Sequence, residues 1–585
     1  MRLSPPRRAP RRALLGLLGA ALVAGVAPPR AAAQDDAGFD VLIVGGRIVD
    51  GSGNAWFYGD VGIRGDRIVQ VAAPGVLSRA PARERIDARG LVVAPGFIDM
   101  QAQSYDPLLF GDGREVGKIA QGVTTEILGE GWTTAPVNEN TLRRTGTADT
   151  ARVRIERQFA GGHGFGEWLE AMERHGISLN VGSMLGAETA RVYAMGQAMG
   201  APSPAQLDTM RAVVRRAMLD GAFGIGSALI YPPGNYASTG ELTELARAVA
   251  PYGGIYATHL RSEGDNVLEA MDEALRIGRE GGVPVEIYHL KAAGRRNWPK
   301  QRAMIAKIDS ARAAGQDVGA GMYVYTAGST GLAAVLPPWA SAGGKRLANL
   351  TDPATRARVH AEMLSPTSTW ENLAQLAGPE GVLVLGVSKP ENQRWVGKTL
   401  AAIAEEQRKD WADAAIDLIL ADGASGRERH EIPTAYFMMS EDNVKLEIAQ
   451  PWIKFGSDAF GADPDSSREL VHPRAYGNFA RVLGRYVRDE RALPLEDAIR
   501  KLTSAAAARL SIRDRGLLRP GMFADVVVFD PATVADRATY ERPNQLADGV
   551  RFVLVNGVAV VKDGKVTGAR PGRALRGPGY RAATP

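Results

Sequence analysis

The sequence predicts an α/β protein of composite build: a (β/α)8 TIM-like barrel inserted in a β-sandwich made from both ends of the chain. Three observations carry that reading. Short apolar strands separated by turn residues fill residues 39–95 and return near the C-terminus. Between them, helical patterns alternate with apolar strands, which implies a parallel sheet closed by crossover helices. Two such strands end in histidine, Ile255-Tyr256-Ala257-Thr258-His259 and Val285-Glu286-Ile287-Tyr288-His289, and a third run ends in Asp458. Strand ends are where a barrel of this kind presents its mouth.

Taken in order, the 585 residues begin with a leader-like segment, 1–34. It holds six arginines and no acid, an apolar stretch from Ala13 to Ala27, and Ala31-Ala32-Ala33 before Gln34. The stretch is shorter than the ~18–20 apolar residues a membrane span needs. The segment reads as a cleavable signal peptide, so the expected location is periplasmic or secreted; Arg11-Arg12 also fits a loose twin-arginine pattern. These arginines account for the net charge of +5; the remainder is nearly neutral and offers no nucleic-acid face. The chain has no cysteine, which excludes disulfides, thiolate metal ligands and a lipoprotein anchor.

The first part of the sandwich is expected over 35–95, with strands near 41–44, 47–50, 60–63 and 91–94. The barrel follows over 96–508, with helices such as 242–252, 266–280 and 300–314. Residues about 340–445 break the alternation with helices around a short strand at 382–386, an insertion placed to cover the mouth. The sandwich resumes over 509–570 with strands near 524–530 and 552–557. The Gly-, Arg- and Pro-rich residues 571–585 read as a loose tail.

A hydrolytic zinc centre needs imidazole or carboxylate ligands, an open position for water and a group to move the water's proton. His259 and His289 supply two imidazoles, and Asp458 supplies a carboxylate for metal or proton. The remaining five histidines lie in poorer settings. His163, His175, His360 and His430 are in Gly-rich or helical surface-like segments, and His472 precedes Pro473 and is expected to fix its loop.

The sequence around these positions resembles the amidohydrolase superfamily, in its D-aminoacylase (N-acyl-D-amino-acid deacylase) branch. The resemblance runs from about residue 40 to 565. It is carried by Tyr256-Ala257-Thr258-His259-Leu260-Arg261-Ser262-Glu263, His289-Leu290-Lys291-Ala292-Ala293-Gly294, Tyr323-Val324-Tyr325-Thr326-Ala327-Gly328-Ser329-Thr330, Gly456-Ser457-Asp458 and His472-Pro473-Arg474. It implies a zinc-bearing barrel in which His259 and His289 bind the tightly held metal and Asp458 is the catalytic base and acid. The branch's third ligand, often Cys, would fall at Gly131; Glu130, one residue earlier, is the candidate replacement. Lys291, Arg474 and the Tyr323 hydroxyl are implied as the clamp for a substrate carboxylate, with Tyr231 and Ser329 orienting the amide or its acyl group.

The main departure follows Asp99. Where the family shows His-x-His for a second metal, this chain reads Gln101-Ala102-Gln103, and amide oxygens are poor zinc ligands. Ala187 and Gly321 further thin the expected polar lining. The pattern fits a remodelled one-metal site, with about one zinc per chain, whose amides orient water or a substrate carbonyl; it also fits decay. The expected function is hydrolysis of an N-acyl amino acid. The competing readings are an amidohydrolase of another small cyclic or peptidic amide and a non-catalytic ligand-binding homologue.

Overall fold

Eight short parallel strands form the barrel in the computed structural model: Phe97–Asp99 (β1), Val123–Leu128 (β2), Asn180–Ser183 (β3), Gly224–Ala228 (β4), Ile255–His259 (β5), Val285–Ile287 (β6), Val318–Met322 (β7) and Ile453–Phe455 (β8). The structure describes residues 38–144, 150–367, 370–423, 432–461, 463–465 and 470–582. The expected leader, 1–34, and His430 lie outside them. Neighbouring strands pair in parallel register, for example Ala228 with His259, Thr258 with Ile287 and Met322 with Phe455. The ring closes where the Met100 N–H donates to the Phe455 carbonyl at 3.4 Å and Ala102 bridges Ala459. All eight strands are buried along their length, as expected where helices cover the outside of a barrel. The helix Val267–Gly281 shows how the cover forms: Val267, Ala270, Met271, Ala274 and Ile277 recur at helical spacing and are buried.

A nine-stranded sheet built from both ends of the chain lies beside the barrel. The strand Val526–Phe529 joins the halves, pairing with Val92–Pro95 on one side and Val550–Val555 on the other. Its alternation explains the placement. Val526 and Val528 pack with Val41, Ile43, Ile63 and Val93 in the sheet domain's own core, while Val527 and Phe529 join the barrel core with Phe97 and Val123.

Between β7 and β8 an inserted three-stranded sheet, Ala327–Gly331, Pro433–Phe437 and Val382–Val384, carries helices around a separate core that includes Leu332, Trp395, Ile416 and Tyr436. Its first strand starts ahead of the boundary near 340 expected from sequence, because Ala-Gly-Ser-Thr-Gly offers no apolar run to mark it.

The tail is a correction. Residues 571–582 are tied to the barrel, with the Gly572, Leu575 and Gly577 N–H groups donating to Ile177, Val181 and Gly221 carbonyls at 2.7–2.8 Å. Arg576 adds a bond to the Asp220 carbonyl at 2.9 Å. A loose-looking composition does not prevent an extended backbone from pairing with carbonyls at a barrel edge. Among the described residues, no helix is long and apolar enough to cross a membrane.

Candidate metal centre

Four strand ends deliver the centre. After β2, Gly129 takes φ +103°, and a Cβ there would lie 2.3 Å from the Met184 carbonyl oxygen; only glycine permits the turn that brings Glu130 into the mouth. His259 closes β5. His289 and Asp458 follow β6 and β8 with φ of 31° and 51°, positions that side chains other than glycine adopt at a cost. The backbone beside Asp458 is held from below: the buried Lys118 ammonium donates to Asp99 Oδ2 at 2.7 Å, Ser457 Oγ at 2.6 Å and the Ala459 carbonyl at 2.8 Å.

Glu130, His259 and His289 converge, with ligand atoms within 4.8 Å of one another. Glu130 Oε1 stands 3.1 Å from both His259 Nδ1 and His289 Nε2, and the rings meet edge to face at 4.4 Å. Two imidazole nitrogens and a carboxylate oxygen are a donor set that zinc accepts. Behind them stands Glu263, with Oε1 2.9 Å from His289 Nδ1 and Oε2 3.6 Å from His259 Nε2, a buried nitrogen without a hydrogen-bond partner. A carboxylate on the far side of each imidazole is the usual means of orienting histidines toward a metal. The three residues therefore fit a zinc ion.

The electrostatics agree. Burial opposes the charge on Glu130, but His289 and His259 overcome it and hold the carboxyl well below its ordinary range. Burial and Lys291 push His289 down, yet Glu263 and Glu130 lift it to about 9. A cation binding between imidazole and carboxylate competes with protons for both groups. Burial likewise opposes charge on Glu263, and Lys291 and the two imidazoles keep it ionised.

Gln101 and Gln103 are placed differently from the expectation. Their amide N–H groups are spent on protein: both donate to Glu130 Oε2, at 2.6 and 2.7 Å, and Gln103 donates also to Asp458 Oδ1 at 3.0 Å. Asp458 Oδ2 faces Arg474 Nη1 at 2.9 Å. Burial raises the Asp458 pKa and Arg474 opposes the rise.

A cavity of about 1010 Å³ opens over this centre, walled by barrel and insertion, and Tyr231, Lys291, Tyr323, Ser329 and Arg474 all line it. Arg474 is 3% exposed, lies 4.5 Å over the Tyr323 ring, and has a buried Nε without a hydrogen-bond partner. Lys291 is less free than expected, because its ammonium donates to Glu263 Oε1. The Tyr323 hydroxyl turns to Met439 Sδ at 3.7 Å, not to Arg474. Tyr231 meets the His259 ring edge to face at 5.5 Å. Ser329 contributes its carbonyl to Arg474 Nη2 at 3.3 Å. His472 does fix its loop, accepting from the Arg474 N–H at 3.0 Å and bonding the Ala327 carbonyl at 2.9 Å. His163, His175 and His360 pair elsewhere, with Asp220, the Gly111 carbonyl and Asp410. A Cβ at Gly321 would meet nothing within 4 Å, so there is space beside it.

Glu263 is the site residue that sequence reasoning passed over. It lies four residues after His259, within a motif that marked the family, but a loop carboxylate carries no sign of where it points.

Comparison with known proteins gives a consistent picture. Residues 84–561 match the profile of the amidohydrolase family. The chain is 37% identical over 545 residues to D-aminoacylase of Alcaligenes xylosoxydans xylosoxydans, spanning 93% of this chain and 98% of the relative. A solved D-aminoacylase, described for a binuclear metal centre with one-metal activation and second-metal attenuation, superposes with TM-score 0.74 at 34% identity, covering 92% of this chain and 100% of that one. N-acyl-D-glutamate deacylase of Bordetella bronchiseptica, solved with zinc and a phosphonate mimic of the tetrahedral intermediate, gives TM-score 0.72 at 32% identity, covering 92% and 100%.

Proposed function

The chain belongs to the amidohydrolase family, in its D-aminoacylase branch, and we propose that it is a one-zinc deacylase of N-acyl-D-amino acids. The observation that carries the reading is the Glu130–His259–His289 triangle with Asp458 beside it, at the base of a cavity that a guanidinium shares. When bound by those three residues, zinc supplies Lewis acidity toward an amide carbonyl and makes water a nucleophile near neutral pH.

Asp458 stands where it can take the proton from the attacking water and deliver it to the leaving nitrogen as the C–N bond breaks, releasing a carboxylic acid and a free amino acid. Arg474, with its partnerless Nε, is the group to receive the substrate's carboxylate, and Lys291 assists mainly by holding Glu263. Tyr231 and Ser329 face the amide and acyl group. Leu229, Ile230, Leu336 and Met438 also line the cavity and favour apolar substituents.

Charge balance supports one zinc. With Glu130, Glu263 and Asp458 counted as carboxylates, the centre outweighs Lys291 and Arg474 by one negative charge. One divalent cation turns this into one positive charge, which a single substrate carboxylate neutralises; a second cation finds no such balance. Gln101-Ala102-Gln103 then stands where the family's His-x-His would hold a second metal. The basic, apolar leader, 1–34, supports export, and N-terminal sequencing of the protein recovered from a periplasmic fraction tests that point.

The functional test is a panel of N-acyl-D- and N-acyl-L-amino acids with the zinc-loaded protein. Release of the free D-amino acid is expected. Turnover confined to cyclic amides, or no turnover with zinc bound, would assign the site to another substrate or to binding alone.

A further inference from the structure

Glu130 reaches the two imidazoles with only one of its oxygens. The other is occupied by two amide nitrogens, and one of these bridges to Asp458. We propose that Gln101 and Gln103 are positioning residues: an amide clamp that takes the place of a second cation, selects which oxygen of Glu130 faces the metal, and ties that ligand to the catalytic carboxylate. This rests on the metal reading of the site given above.

The chemistry of the bridge is specific to an amide. A side-chain NH2 carries two hydrogens on one nitrogen. Gln103 gives one to Glu130 Oε2 and the other to Asp458 Oδ1, at 2.7 and 3.0 Å, so two carboxylates that would repel each other share one neutral donor. A single imidazole nitrogen has one hydrogen and cannot make this bridge. Two amides aimed at Oε2 also present N–H groups to the position a second cation would need, where it would require lone pairs.

The clamp is anchored. Gln101 is 3% exposed, and its carbonyl accepts the Asp458 N–H at 2.8 Å. The Gln103 N–H donates to the Ala459 carbonyl at 3.1 Å. Gly456 leaves the necessary space, since a Cβ there would lie 2.9 Å from Gln101 Cβ. The glutamine strand end and the Asp458 loop are thus one unit, and the amides cannot slide along Glu130 without breaking it.

Zinc affinity by chelator competition, read without substrate, tests the clamp independently of the substrate assignment. Gln101→Leu and Gln103→Leu should each weaken zinc binding by about 10- to 100-fold, the usual cost of losing a partner that orients a ligand. With zinc saturating, Gln103→Leu alone should also lower kcat by about tenfold or more with KM changed less. The acidic limb of its kcat/KM profile should move to higher pH, because the ionised form of Asp458 loses a donor. Gln103→His should not restore kcat, having one hydrogen to give per nitrogen. If a leucine variant fails to fold by thermal melting, Gln103→Asn, too short to reach both carboxylates, should show the same losses. Zinc affinity unchanged in the folded variants, or a Gln103 variant with normal kcat and an unmoved acidic limb, would overturn the proposal. Loss of zinc affinity in an enzyme inactive on every N-acyl amino acid would keep the clamp and reject only the substrate.

Discussion

Strands β6 and β8 each supply a charged group to both ends of the barrel, and the two ends are built on opposite terms. At the N-terminal end, Glu286 pairs with Lys454 at 3.0 Å and with Arg509 at 3.0 Å, and Arg509 reaches Asp317 at 3.0 Å. There the charges face one another. Just beyond the same strands, His289 and Asp458 hold positive φ and face a cavity that Arg474 also lines. The floor is closed and the mouth is left open for a ligand. Charge in a closed cluster serves the fold, whereas charge that lines a cavity marks where metal and substrate belong.

Substitutions at the mouth should affect metal and turnover, and those at the floor should affect stability. The largest effect should come from His289→Ala, which removes zinc and turnover together by orders of magnitude while the chain stays folded; elemental analysis and circular dichroism check this. Asp458→Asn should retain zinc and lower kcat by about 10²–10⁴-fold, since only proton transfer is lost. Near-normal turnover in that variant would mean that another group is the base.

At the floor, Glu286→Ala leaves Lys454 and Arg509 buried without their shared partner. It should cost about 3–5 kcal/mol of stability with zinc affinity intact. Denaturant unfolding gives the first quantity and chelator competition the second; a zinc defect would show that the two ends are coupled. Converting the substrate's carboxylate to an ester should cost about 2–5 kcal/mol in kcat/KM. Arg474→Met should close most of that gap and Lys291→Met less of it, because Lys291 already answers Glu263.

A further effect concerns pH. Burial, against the pull of Glu286, lowers Lys454 to about 8 from an ordinary 10.5. Between those values the unfolded chain binds the extra proton, so this group makes stability rise with pH across the window from about 8 to 10.5. Lys454→Met should remove that slope, measured as the pH dependence of the melting temperature relative to the unmodified protein.

His259, His289 and Asp458 were legible because a strand end followed by a helical pattern places a side chain at the barrel mouth whatever the distant sequence. The composite sheet was legible from strand texture at both ends. Glu130 depended on family resemblance, since nothing local says that a glycine turn aims it inward. The partners of Gln101 and Gln103 were not legible, because an amide's hydrogens are directed by neighbours far along the chain. Glu286 and Lys454 form the floor only once β6 and β8 enter the same barrel interior. The tail's attachment was not legible, because its backbone groups and its Arg573 and Arg576 side chains find partners far along the chain, which composition does not describe.

Zinc reconstitution shows how many ions the centre uses. Metal-free protein is titrated with zinc while release of a free D-amino acid from its N-acyl derivative is followed. Activity should rise linearly and reach its plateau at one zinc per chain, with further zinc neither bound tightly nor stimulatory. A plateau only at two equivalents, or full activity with no metal, would contradict the account.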